Sequence, residues 1–290
     1  MSERRILVVG ATGQQGGAVA EQLLSWDGEP TFSVDALTRN PAGDAARRLA
    51  DVGATVVEGD LLDPGSLEPL VAAVDAVFSV SVFRAGGPEV ERRQGMNVAE
   101  VAADVGVEHL VYSSVASADR DTGLANFEPK RAIEERIAEL GIPATVLRPT
   151  YFMQNFEGQR AAILEGTLAL PLEPDVSLQL VDVDDIGAMA VRAFADPTRY
   201  VGGTYELAGD EHTLASAAAV FSDVTGVDVR PESLPVEAAG EQVDEVHAAM
   251  HRWFNEHGYE VDIAALRREH DVAFTDLESY LRRHGWDRGE

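Results

Sequence analysis

The sequence predicts an α/β protein: a Rossmann-type doubly wound parallel sheet with a smaller α+β C-terminal lid. Three observations carry that expectation. Short apolar runs alternate with amphipathic stretches from Arg5 onward, a glycine-rich turn joins the first run to the first amphipathic stretch, and the order of elements changes beyond Thr150. With 290 residues, 45% of them hydrophobic and 25% charged, the chain has apolar material for a substantial core in one or two domains. That composition excludes a disordered or collagen-like chain.

The elements follow in order. Strands are expected at residues 6–9, 32–37, 55–58, 76–80, 109–113 and 144–147, each an apolar run bounded by turn-forming residues. Between them, helices are expected at 16–25, 44–52, from Ser66 after Pro64, at 88–105, and at 129–140, where Gly141 ends the last one. Beyond Thr150 the pattern gives strands at 178–183, 204–207 and 228–233, with helices at 185–194, 214–225, 240–257 and 275–284. Asp184 is the expected N-cap of the helix at 185–194. The domain division expected is 1–150 for the sheet domain, with contributions from 176–209, and 151–290 for the lid.

Charge and cysteine content restrict the function classes. The chain carries 50 Asp+Glu against 23 Lys+Arg, a formal net charge of -27, and such a surface repels nucleic-acid backbones and anionic lipids. No run approaches the ~18 apolar residues of a membrane span, and residues 1–5 lead into a strand without a secretory h-region, so a cytoplasmic protein is expected. Zero cysteines remove disulfides, thiolate metal sites and thiol nucleophiles, so any redox role needs a bound cofactor. Of the 23 basic residues 22 are Arg, and the single Lys is Lys130. Acid excess with lysine avoidance fits a halophilic protein, because in molar salt screening over ~3 Å removes self-repulsion.

The sharpest motif is Gly10-Ala11-Thr12-Gly13-Gln14-Gln15-Gly16-Gly17, set between a first strand and a first helix. Gly10 permits a tight turn, Gly13 lets the backbone approach a pyrophosphate, and Gly16 allows close packing of helix on strand. The helix N-terminus adds amide donors and a positive dipole end. The second strand ends Leu37-Thr38-Arg39-Asn40-Pro41, with Arg39 where an NAD site has an acidic residue, so a 2′-phosphate and hence NADP(H) is expected. Asp35 lies too early in that strand to reach a ribose. Asp60-Leu61, after the third strand, is placed to cover the adenine and reads equally as a strand-end turn.

Together with Arg148-Pro149-Thr150-Tyr151-Phe152-Met153-Gln154-Asn155-Phe156 and Val181-Asp182-Val183-Asp184-Asp185-Ile186-Gly187, these motifs resemble the NmrA-like branch of atypical short-chain dehydrogenases. Gln15-Gly16-Gly17, Glu91-Arg92-Arg93-Gln94-Gly95 and Met250-His251-Arg252-Trp253-Phe254 are most similar to its HSCARG-type NADP(H) sensors. The resemblance implies cofactor contacts at Gly10 to Gln15, Arg39, Ser81, Val82, Phe83, Lys130, Tyr151, Phe152 and Asn155. It also brings a departure, since such sensors have Lys where this chain has Arg93.

Short-chain dehydrogenases pair a Tyr with a Lys four residues later on one helical face; the Tyr protonates the forming alkoxide and the Lys holds the nicotinamide ribose. Here Lys130 is present and the tyrosine position is Asn126, which is no acid. Ser113, at the end of the fifth strand, stands where such enzymes orient a carbonyl, or is a plain strand-end hydroxyl. His247 and His251 share a helical face without a third ligand, and Asp182, Asp184 and Asp185 read as a strand end with a helix cap, so no metal is expected.

Two functions follow: an NADP(H) sensor that presents a changed surface to a regulatory protein partner, or an NADPH-dependent oxidoreductase of a quinone, enone or aryl substrate using Lys130. Direct binding of nucleic acid or membrane is not expected, and a monomer or homodimer is. The charge reading predicts that the thermal unfolding midpoint rises steadily as KCl goes from roughly 0.1 M to 3 M; a midpoint independent of salt would overturn it.

Overall fold

The computed structural model of the chain describes residues 3–81, 86–237 and 245–287. Its strands are β1 (Glu3–Val8), β2 (Thr31–Thr38), β3 (Thr55–Glu58), β4 (Ala76–Val80), β5 (His109–Ser113), β6 (Ala144–Pro149), β7 (Tyr151–Phe152), β8 (Thr167–Leu170), β9 (Ser177–Val181), β10 (Thr204–Leu207), β11 (Asp210–Thr213) and β12 (Arg230–Ser233). The helices are α1 (Gln14–Ser25), α2 (Asp44–Asp51), α3 (Pro64–Val71), α4 (Pro88–Val105), α5 (Glu128–Leu140), α6 (Arg160–Leu164), α7 (Val183–Ala195), α8 (Pro197–Tyr200), α9 (Leu214–Thr225), α10 (Glu245–Glu256), α11 (Ile263–Glu269) and α12 (Leu277–Arg283). The chain divides into two compact units, Met1–Arg148 with Ile186–Glu206, and Pro149–Asp185 with Leu207–Glu290.

The first unit is built on a seven-stranded sheet of order β10-β6-β5-β4-β1-β2-β3. The pairs β1/β2, β2/β3, β1/β4, β4/β5 and β5/β6 are all parallel. β4, β5 and β6 are buried along their whole length, which is why they read as continuous apolar runs without alternation. The strand order reverses between β1 and β4, and the carboxyl ends of such a pair form the crevice in which doubly wound sheets bind ligands.

Local chemistry sets the helix ends. Pro88 and Pro129 open α4 and α5, and Gly106 and Gly141, both in the left-handed region at φ 77° and 65°, end them. The helix expected from Ser66 begins earlier, at Pro64, because Asp63 caps it by accepting a hydrogen bond from Gly65 N. α4 and α5 lie close together. A Cβ on Gly95 of α4 would overlap the Ile133 side chain of α5, and Ile133 is fully buried in a core shared with Leu7, Val77, Leu110 and Tyr112.

The second unit holds a three-stranded sheet of order β11-β9-β7, with β11 antiparallel and β7 parallel to β9, and a parallel pair of β8 with β12. The short elements β7, β8, β11, α6 and α11 are additions to the expected pattern. Phe156, Phe221 and Trp286 form its aromatic centre, and Glu157 Oε1 accepts hydrogen bonds from Trp286 Nε1 at 2.8 Å and Tyr280 Oη at 3.2 Å. The expected helix at 240–257 is described as Glu245–Glu256; residues 240–244 lie outside the described part of the chain.

The acidic run Asp182–Asp185 corrects one expectation. Asp184 is not the N-cap: α7 starts at Val183, and Asp182 accepts from Asp184 N at 3.1 Å, leaving Asp184 inside the first turn. Asp185 is buried and accepts from both Thr275 N and Thr275 Oγ1 at 2.9 Å. Burial nevertheless outweighs those bonds and pushes its pKa up to about 7. A carboxyl raised from 3.8 to about 7 binds an extra proton in the folded state between those values, so its contribution is full below pH 3.8 and is lost as pH rises to 7. Asp185→Asn abolishes that titration. The stability of wild type relative to the variant, from urea unfolding in high salt, is therefore expected to fall by about 4 kcal/mol between pH 4 and pH 8, and a difference independent of pH would contradict this reading.

Candidate functional site

The glycine turn leaves β1 at its carboxyl end and enters α1. Gly10 sits at φ 72°, and a Cβ there would lie 2.7 Å from Val80 Cγ1, so both its backbone and its neighbour on β4 call for glycine. A Cβ on Gly16 would overlap the Gly10 carbonyl group, which fixes how closely α1 returns to the turn. Gly13 is the N-cap residue of α1 and offers no side-chain acceptor to the helix amides. Ala11 is buried, whereas Thr12, Gly13 and Gln14 are exposed. Gly13 N donates to the Gly10 carbonyl at 2.9 Å, and a Cβ on Gly13 would meet only that oxygen among the described residues beyond its chain neighbours, so the outer face of the turn is exposed backbone that a pyrophosphate can approach.

The other expected residues of the first unit gather around this turn. Gln15 Oε1 accepts a 2.6 Å hydrogen bond from Ser113 Oγ, so the Ser113 hydroxyl is committed to tying the turn to β5. Arg39 directly follows β2, is exposed, and forms no ion pair among the described residues. Asp35 is buried mid-strand and spent on Arg5, at 2.9 Å. Asp60 holds its own turn, accepting from Leu62 N at 2.9 Å, while the Leu61 carbonyl accepts from Asn97 Nδ2 at 2.7 Å. Ser81, just past β4, is buried and donates to Glu91 Oε1 at 3.3 Å. Val82 and Phe83 lie outside the described residues.

Lys130 has a partner that the sequence reading did not single out. Its Nζ meets Glu91 Oε1 at 2.6 Å, with the Lys130 side chain 15% exposed and Glu91 fully buried. The pairing follows from the helix contact, because Glu91 lies one turn before Gly95 on α4 and Lys130 one turn before Ile133 on α5. Asn126 lies in the turn that leads into α5, which begins at Glu128. The tyrosine of the ordinary short-chain dehydrogenase dyad is thus missing in residue type.

The remaining candidates belong to the second unit. Tyr151 and Phe152 form β7 beside Leu180 and Val181. The Tyr151 ring stands edge-on to Phe254 at 6.2 Å; burial pushes its hydroxyl pKa up to about 12, opposed by a hydrogen bond with Asn155. His251 Nδ1 donates to the His247 carbonyl oxygen at 2.9 Å, one turn earlier on its own helix. Burial lowers the His251 pKa. Among the described residues, Asp182, Asp184 and His284 approach one another as potential ligands, but Arg283 Nη1 already bridges both carboxylates at 3.2 Å.

The NmrA-like family model matches residues 2–281. The chain belongs to the NmrA-like family. The Escherichia coli (strain K12) Quinone oxidoreductase 2 is 31% identical over 231 residues, covering 79% of this chain and 77% of that protein. The NADPH complex of an Escherichia coli NADPH-dependent quinone oxidoreductase superposes with a TM-score of 0.82 at 26% identity, covering 98% of this chain and 99% of the other. The negative transcriptional regulator NmrA, solved with NADP, shares the fold with a TM-score of 0.79 at 20% identity, over 97% and 95% of the two chains. In this NmrA-like chain the α4–α5 contact places Lys130, and it is sensitive to one methyl group. Gly95→Ala is expected to lower stability by about 1–3 kcal/mol through overpacking against Ile133, read from urea unfolding in high salt; a neutral variant would show that the helices have slack.

Proposed function

We propose that this protein binds NADP(H) in its first unit and acts as a redox sensor or regulator with little dehydrogenase chemistry of its own. The observation that carries the reading is the pairing of an open glycine cradle with a dismantled catalytic dyad. The turn presents exposed backbone from Thr12 to Gln14, and Arg39, exposed just after β2, forms no ion pair among the described residues and is available to a 2′-phosphate. Position 126 is Asn in a turn, and Ser113 is held by Gln15. The residues toward the cofactor would be Gly10 to Gly16, Arg39, Ser81 and Lys130 of the first unit, with Asp60 and Leu61 at the adenine. The family resemblance further implies contacts at Val82, Phe83, Tyr151, Phe152 and Asn155. When bound, NADPH supplies a hydride; the chain's own residues bind and orient it.

A specific observation favours a second reading. Among the described residues Lys130 uses one of its three ammonium donors, on Glu91, which leaves two toward a cofactor or a substrate oxygen. Together with the quinone oxidoreductase relative, this supports an NADPH-dependent reductase of a small quinone, enone or aryl compound working without a tyrosine. A regulatory protein partner belongs to the first reading, a small-molecule substrate to the second.

One experiment addresses both. Calorimetric titration in high salt is expected to show NADP+ and NADPH binding far more tightly than NAD+ and NADH. Arg39→Ala is expected to cost about 10- to 100-fold in NADPH affinity with little change for NADH. Equal affinities for the phosphorylated and unphosphorylated pairs would sink the NADP(H) assignment. On the same sample, rapid NADPH absorbance decay with a quinone or enone panel would replace the sensor by the reductase.

A further inference from the structure

Within the first unit, the only lysine of the chain meets a carboxylate that has no contact with solvent. Burying an ion pair seldom stabilises a fold relative to an apolar pair of the same volume, because both charges lose water. A structural role alone therefore gives little reason for the pair.

The geometry around the carboxylate is one-sided. Oε1 of Glu91 receives both Lys130 Nζ, at 2.6 Å, and Ser81 Oγ, at 3.3 Å, while Oε2 has no partner among the described residues. Ser81 follows Val80, the residue against which Gly10 packs. Glycine cradle, β4 end, Glu91 and Lys130 are thus one connected series. The ammonium is tied to this series and, among the described residues, keeps two donors unused.

We propose that Glu91 is a positioning residue for NADP(H): through its 2.6 Å contact it holds the Lys130 ammonium for the hydroxyls of the nicotinamide-side ribose. The inference rests on the NADP(H) reading above and is the same for sensor and reductase. It accounts for the use of Lys at a single site in a chain that otherwise uses Arg. A slim ammonium fits between two helices brought together at Gly95 and leaves donors over, whereas a planar guanidinium is wider and makes its bonds in a fixed fork.

The test is a binding measurement that separates the two halves of the cofactor. NADPH and adenosine 2′,5′-bisphosphate, which lacks the nicotinamide riboside, are titrated calorimetrically in high salt into wild type, Glu91→Gln, Lys130→Met and the double variant. Glu91→Gln is expected to weaken NADPH by about tenfold, as for loss of a charge-assisted hydrogen bond, and to leave the bisphosphate within about twofold. In the Lys130→Met background, Glu91→Gln is expected to cause no further loss, because its effect passes through the lysine.

Equal weakening of both ligands would mark Glu91 as merely structural and overturn the proposal, as would additive losses in the double variant or unchanged NADPH affinity. Should Glu91→Gln fail to fold, Glu91→Asp keeps the charge and withdraws it by one methylene, with the same selective loss expected. Failure of the NADP(H) reading looks different: wild type would then bind neither ligand.

Discussion

The approach of α4 to α5 at Gly95 and Ile133 is the constraint on which the candidate site depends. It is a packing fact with an electrostatic consequence. Because the helices meet closely there, residues one turn earlier on each are forced together, and those residues are Glu91 and Lys130. Neither charge would be tolerated alone at that depth; each is the condition for the other. Ile133 belongs to the core that covers β1, β4 and β5, so the ammonium is positioned by the same contacts that hold the sheet.

The heavy excess of acid is managed differently in the interior and on the surface. On the surface, short-range pairs such as Arg92 with Glu89 or Arg282 with Glu278 are exposed and add little. Inside, each carboxylate is given specific donors. Asp35 takes Arg5, Asp185 takes the amide and hydroxyl of Thr275, and Glu91 takes Lys130 and Ser81. Arg148, mostly buried, is shared by Glu134 at 2.6 Å and Asp119 at 3.0 Å. The buried acids are therefore fixed points of the architecture, while most of the formal charge of -27 lies on groups open to salt.

The sheet of the first unit was legible because its strands are buried on both faces and its crossover helices carry proline and glycine at their ends; these signals are local. The second unit was less legible. β7 and β11 are short, and β11, Asp210–Thr213, is wholly polar, so its pairing with β9 is a tertiary choice with no periodic trace. Asp184 reads as a cap because it precedes an apolar run, yet the helix already starts at Val183, and Asp182, two residues earlier, accepts from the Asp184 amide. Within the site, Gly10, Gly16 and Lys130 were readable from spacing. Glu91 was not, since a Glu beside two Arg on a helix looks like a solvated face. The signal was Gly95 four residues on, marking the side of α4 that faces another helix.

Ser113 shows how one residue type changes meaning once its neighbours are known. At the end of a central strand in this fold, a serine hydroxyl reads as a substrate contact. Here its hydrogen bond runs to Gln15, on the first turn of α1, so it acts on the cradle instead. The same holds for Ser81, whose hydroxyl acts on Glu91. Both strand-end hydroxyls of β4 and β5 are thus used to fix the groups that would bind a cofactor. Groups held in place before binding lose little entropy on binding, which is the property a cofactor cradle needs and which by itself performs no chemistry. Beside these hydroxyls the Lys130 ammonium is held in the same way before any ligand arrives, by Glu91 at 2.6 Å.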